Sequence, residues 1–281
     1  MEKKYRKFFY LFFINTLFVN AQNSEEQFWK NKFYTPSGFG VHSDLAYGAY
    51  LVEVASSEMN SAIDYSVLEA TLGVSYVYGS WMWGGYGKFL VDEVTSNMYV
   101  VNTDKKLTNQ AQIDKKEFAF YINYTLVQKK QSSWRFNLIY KESLLDAKNS
   151  YHAFNDYQSY FYYQTKGLAL SLVYADKLNK KHGYFISSGL LQSRVKVSIS
   201  ETVNTIKQDA FIESDSSAIG LKMAFGYNYI LSSHLILSFR SDAWWLKFSK
   251  LKVNSEVGDS LPKATLKEQT IGSYMGLTWH F

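Results

Sequence analysis

From Ile219 to Leu231 every odd-numbered residue is large and apolar: Ile219, Leu221, Met223, Phe225, Tyr227, Tyr229 and Leu231. Between them stand Gly220, Lys222, Ala224, Gly226, Asn228 and Ile230. A period of two is the mark of a β-strand with two unlike faces. After a short "SSH" turn the oily row resumes with Leu235, Leu237, Phe239, Ala243 and Trp245, while Ser238, Arg240 and Asp242 take the other face. The dry core of a sandwich does not accept Lys222, Arg240 and Asp242 together, because buried charges are costly there. The interior of a membrane barrel does, with its oily rows turned to lipid. Aromatics make up 18% of the chain, with 23 Tyr, 20 Phe and 7 Trp. Such rings suit the two bilayer interfaces, where one edge is dry and the other wet.

The same alternation recurs along the chain and predicts ten strands, near 41–53, 65–77, 81–92, 117–127, 134–145, 158–176, 183–200, 217–231, 235–248 and 268–281. Eight or twelve strands are the neighbouring solutions. Outer rows include Leu45/Tyr47/Ala49/Leu51, Leu68/Ala70/Leu72/Val74/Tyr76, Trp81/Trp83/Phe89 and Phe118/Phe120/Ile122/Tyr124/Leu126. They continue with Trp134/Phe136/Leu138/Tyr140, Leu168/Leu170/Leu172/Tyr174 and Val195/Val197/Ile199. Connections alternate between short turns (78–80, 128–133, 177–182, 232–233) and long loops (54–64, 93–116, 146–157, 201–216, 249–267). Short periplasmic turns and long extracellular loops are the rhythm of outer-membrane barrels. The fold class expected is all-β, one closed antiparallel transmembrane β-barrel. Closure removes the sheet edges that lipid cannot satisfy. The two prolines, Pro36 and Pro262, fall outside the expected strands.

Residues 1–21 read as a secretory signal peptide. Lys3, Lys4, Arg6 and Lys7 precede an apolar run from Phe8 to Val19, and cleavage is expected after Ala21. That run is too short to cross a bilayer. Residues 22–40 then form a periplasmic N-terminal segment and 41–281 the barrel. Residues 1–21 hold four Lys/Arg and one Glu, so their removal lowers the net charge from +5 to +2. The remaining charge gives no reason to expect a nucleic-acid partner. There is no cysteine, which excludes disulfides and thiol chemistry. No clustered His/Cys, HExxH or GxSxG occurs, so neither a metal nor another cofactor is expected.

The alternation turns His42, Asp44, Glu69, Lys88, Glu117, Arg135, Lys141, Arg194, Lys196, Lys222, Arg240, Asp242 and His280 inward. Eight strands are filled by their own side chains and sixteen leave a channel, so ten lie near the filled limit. Paired charges plugging the lumen are one expectation. A narrow polar passage with a cationic wall is the other. Trp244, Trp245 and Trp279 read as interface girdle. His152, in "NSYHAFND" with Asp156 nearby, is the histidine expected in an extracellular loop.

The final strand, "TIGSYMGLTWHF", ends on Phe281. It resembles the C-terminal signature of bacterial outer-membrane barrels, whose last strand is read by the insertion machinery. That resemblance implies such a partner, alongside outer-membrane lipid. Strand number and loop rhythm over most of the chain resemble the omptins, ten-stranded outer-membrane aspartyl-type proteases. "SAIDY" (61–65), "FLVDE" (89–93) and the spacing of 117–143 are similar to omptin segments. Omptins carry an Asp-x-Asp-type pair after the third strand and an Asp-x-His pair after the seventh. Here Asp92 matches the first Asp, but Val94 stands at the second place, and "SISETVNTIKQD" (198–209) has no histidine. The resemblance implies shared architecture; the residues argue against shared proteolysis, since the water-activating pair is incomplete.

The function expected is that of a non-enzymatic, pore-like or surface barrel. The competing class is a barrel enzyme acting on peptide or lipid, with a site among Asp92, Glu93, His152, Glu201 and Asp209. A surface receptor or adhesin using the same loops is the third.

Overall fold

The structure is a computed structural model, and it describes residues 38–55, 59–92, 94–102, 105–129, 131–151, 157–203, 206–255 and 261–281. The expected signal peptide and most of the 22–40 segment lie outside these residues, as do Glu93 and His152. The described elements are strands: β1 (Gly38–Ala55), β2 (Met59–Tyr78), β3 (Trp81–Leu90), β4 (Val94–Asn102), β5 (Lys105–Gln128), β6 (Ser132–Tyr151), β7 (Tyr157–Lys177), β8 (His182–Val203), β9 (Ile206–Ile230), β10 (Leu235–Ser255) and β11 (Leu261–His280). β3 and β4 lie end to end between the same neighbours, β2 and β5, so the eleven segments occupy ten positions around one wall. The wall is closed. β1 pairs antiparallel with β2 on one side and with β11 on the other, from Gly40 opposite His280 to Ala55 opposite Thr265. The Phe281 amide adds a hydrogen bond to the Phe39 carbonyl at 2.8 Å.

One end carries the C-terminus, the start of β1 and the tight turns, and is called here the turn end. Gly79 makes the β2–β3 turn possible, with φ of 57°, a conformation that costs glycine little and other residues much. Near this end the outer face is oily. Ile219, Leu221, Met223 and Phe225 are 50–72% exposed. From Ile219 to Leu231 there are about twelve steps of ~3.3 Å. With a strand tilt of about 40°, they climb roughly 30 Å, the thickness of a hydrocarbon core. Aromatic rings circle the turn end in contact, as in Trp81–Tyr124 at 4.5 Å, Trp134–Tyr174 at 5.0 Å and Phe39–Phe281 at 6.3 Å. Phe281 thus closes the girdle across the β1–β11 seam.

Beyond this band the polarity of the two faces inverts. Val52, Val54, Ile63, Tyr65, Ile113, Leu145, Phe161, Tyr163, Val195, Val197, Phe248 and Leu266 all point inward and are at most 4% exposed. They form one apolar core inside the far half of the barrel. Out of lipid, the outside faces water and the inside becomes the dry face.

Two expectations are corrected by this inversion. The long loops expected at 54–64, 93–116, 146–157, 201–216 and 249–267 are mostly strand, continued past the oily band. Val195 and Val197, expected on the outer row, are buried. Arg194 and Lys196, expected in the lumen, are exposed outside. Arg194 lies in register with Lys166 of β7, which is also exposed.

Candidate functional site

Between the oily band's interior and the far-half core lies a layer of buried charge. Each member comes from an inward position of an adjacent strand: Glu69 of β2, Lys88 of β3, Lys115 and Glu117 of β5, and Lys141 of β6. Lys115 pairs with Glu69 at 2.8 Å. Lys88 bridges Glu69 at 3.6 Å and Glu117 at 3.5 Å. Lys141 reaches Glu117 at 3.1 Å. Two acids and three bases thus alternate around almost half the circumference. Phenols supply further bonds. Tyr50 donates to Glu69 at 2.5 Å and Tyr86 to Glu117 at 3.1 Å, while Lys88 donates to the Tyr274 oxygen at 3.2 Å. Buried ions keep their charge only with this kind of pairing.

The opposite side of the layer relies mainly on rings, with one carboxylate, Asp242. The Lys141 and Lys222 ammonium groups stand 4.1 and 4.6 Å from the centre of the Trp244 ring. The Arg240 guanidinium lies 4.2 Å from the Tyr274 ring and 3.8 Å from Asp242. Trp244 is 6% exposed and faces inward, which corrects its expected place in the girdle. Its even number put it on the polar row of β10. Its size alone suggested an interface ring. Cation–π contact gives it a use inside.

Towards the turn end this layer is the floor of a cavity of about 460 Å³ lined by both charged and apolar side chains. His42, Asp44, Arg135, Lys222, Arg240 and Asp242 all line it. At the mouth are Lys177, His182 and Gly183. Gly276 lets Asp44 lie flat against the wall, since a Cβ there would fall on the carboxylate. Above the floor, the buried core blocks the way. A water-filled channel would leave its lining accessible, yet among the described residues the inward apolar side chains of the far half are buried.

Of the lumen residues expected from sequence, Asp44, Glu69, Lys88, Arg135, Lys141, Lys222, Arg240 and Asp242 all project inside the wall, in the charged layer or the cavity. Arg194 does not. Sequence alternation missed Lys115, which follows the same odd phase as Glu117 but fell in an expected loop. It also gave no sign of Tyr50, Tyr86 and Tyr274, whose phenols complete the layer. Asp92 is exposed at the β3–β4 break. Among the described residues no group of His, Cys, Asp and Glu is arranged to hold a metal.

The class is therefore a closed ten-position antiparallel barrel with an oily outer band and an apolar core in its far half, the fold of outer-membrane β-barrels. No family model and no curated protein sequence matches the chain. Among solved structures, the outer membrane protease OmpT of Escherichia coli is similar, with a TM-score of 0.69 at 10% identity, over 89% of this chain and 98% of that one. The translocator domain of the autotransporter NalP from Neisseria meningitidis is matched at a TM-score of 0.48 and 10% identity, over 92% and 94%. The outer membrane protein OprG from Pseudomonas aeruginosa follows at 0.40 and 10%, over 87% and 97%. The first of these carries the comparison of fold. At such identities none transfers an activity.

Proposed function

We propose that this chain is a shut outer-membrane barrel, a non-enzymatic surface protein. In this reading the oily band sits in the outer membrane, the turn end faces the periplasm and the strand extensions stand outside the cell. The observation that supports it is the apolar core in the far half, anchored by Phe161, Tyr163, Phe248 and Leu266 at 0–2% exposure. A pore of this width would need a polar, wetted lining along its whole length. Here the polar stretch is blind.

The test is conductance of the refolded full chain in planar bilayers. A silent membrane, with insertion verified by protease protection, is the expected result. Stepwise single-channel currents would overturn the reading. The omptin-like alternative has its own assay. Peptide hydrolysis that disappears in Asp92→Ala would favour it, whereas the incomplete residue pairs lead us to expect none.

A further inference from the structure

We infer that the cavity at the turn end is a binding site for a small oxyanion, a carboxylate or phosphate group, with Arg135 as its anchor. Five Lys/Arg side chains line the cavity against three Asp. Most of these charges are already engaged. Lys88 has Glu69 and Glu117, Arg240 has Asp242, and Lys222 lies over Trp244. Asp176, at the mouth, accepts the Tyr174 and Tyr184 hydroxyls at 3.2 and 3.4 Å. The Arg135 Nε, like that of Arg240, is buried without a hydrogen-bond partner; unlike Arg240, Arg135 has no carboxylate among the described residues within ion-pair reach. A cation left this way inside a wall calls for an anion, and the guanidinium fork suits two oxygens of a carboxylate or phosphate.

The neighbours of Arg135 extend the site. Arg135 sits on β6 opposite Thr125 of β5 and Val173 of β7. Two residues on, Asn137 faces Asn123 directly across the β5–β6 pair, and both line the cavity. Ser187 of β8, in register with Val173, lines it as well. The Asn137 Oδ1 and Ser187 Oγ atoms are buried and unpaired, like the Arg135 Nε. The two amides and the hydroxyl supply N–H and O–H donors beside the guanidinium, together with acceptors for a hydroxyl on the ligand. The apolar core above the charged layer prevents onward passage, so the ligand enters and leaves by the turn end. This assignment rests on the cavity alone and holds whichever way the barrel faces.

The test uses the detergent-solubilised full chain. Inorganic phosphate is followed by phosphorus NMR line broadening and succinate by titration calorimetry, with choline chloride at matched ionic strength as control. Saturable binding of phosphate, succinate or both at millimolar concentration, with none for choline, is expected. The response to each probe tells a phosphate site from a carboxylate one. Arg135→Gln should weaken the binding about ten- to a hundredfold, the range for a charged hydrogen bond. Folding of the variant is checked by its heat-modifiable gel shift. Where Arg135→Gln does not fold, Asn137→Leu replaces it and should weaken binding several-fold. Absence of saturable binding of both anions, or unchanged affinity in the folded variant, overturns the assignment.

Discussion

Replacing Glu117 with alanine strikes the centre of the charged layer. The side chain is only 4% accessible and holds two ammonium groups, Lys88 at 3.5 Å and Lys141 at 3.1 Å. Coulomb's law at an effective dielectric of about 20 gives on the order of 5 kcal/mol for each contact. Desolvation of the carboxylate, which the variant no longer bears, offsets part of this. Lys88 retains Glu69 at 3.6 Å, and Lys141 retains the Trp244 ring at 4.1 Å. The net loss expected is therefore about 3–5 kcal/mol, the range for breaking one side of a buried pair. Urea unfolding of the refolded chain in lipid vesicles, followed by tryptophan fluorescence, measures it. The double change Glu117→Ala, Lys141→Met should recover a large part, because it removes the stranded cation together with its partner. A loss below about 1 kcal/mol in the single variant, typical of an exposed ion pair, would mean that the layer is wet and that these charges are not buried.

Other consequences are as direct. Gly276→Val places a side chain on the Asp44 carboxylate and should destabilise by roughly 1–3 kcal/mol, as overpacking does, read from the same unfolding curves. Phe161→Ala, within the far-half core at 1% exposure, should cost about 3–5 kcal/mol. On the extension beyond the band, Tyr160 donates to the Asp146 carboxylate at 2.5 Å, and that bond pushes its hydroxyl up to about 12. Asp146→Asn should bring the Tyr160 titration back down, visible by NMR of labelled tyrosine. Deleting Phe281 removes its contacts with Phe39 and Trp279. It should lower the yield of assembled barrel in cells, scored by the folded band on unheated gels.

The lipid-facing half of the barrel was legible because it obeys one rule throughout. Where the wall meets lipid, outside is oily and inside polar, so Leu168/Leu170/Leu172 and Ile219/Leu221/Met223 announce their strands. The far half was hidden by the inversion of that rule. On β8 the outer row passes from Leu190 to Arg194 and Lys196, while the inner row passes from Ser187 to Val195 and Val197. A reader following the oily residues changes face midway and shifts phase by one. Segments 93–116 and 249–267 lacked even that signal, because polar residues and the β3–β4 break dissolve the alternation. The interior was legible as a set of charges and not as an arrangement. Glu69, Lys88, Glu117 and Lys141 were readable one by one. Their meeting depends on strand stagger, which sets the diagonal neighbours and which no single strand encodes. Trp244 shows the limit of reading a residue by type: an indole inside a barrel looks in sequence like an indole at its rim.

The most direct test of the account exploits the absence of cysteine, since a single engineered thiol labels uniquely. Spin labels placed one at a time from Ala218 to Leu231 in the chain refolded into vesicles report accessibility to oxygen, which dissolves in lipid, and to a water-soluble nickel chelate. The expected result is oxygen maxima at the odd positions, alternating strictly, with weak collision with both reagents at Ala218 and Gly220, where the interior is packed. Equal accessibility to the nickel chelate at odd and even positions, or a repeat near 3.6 residues, would contradict it.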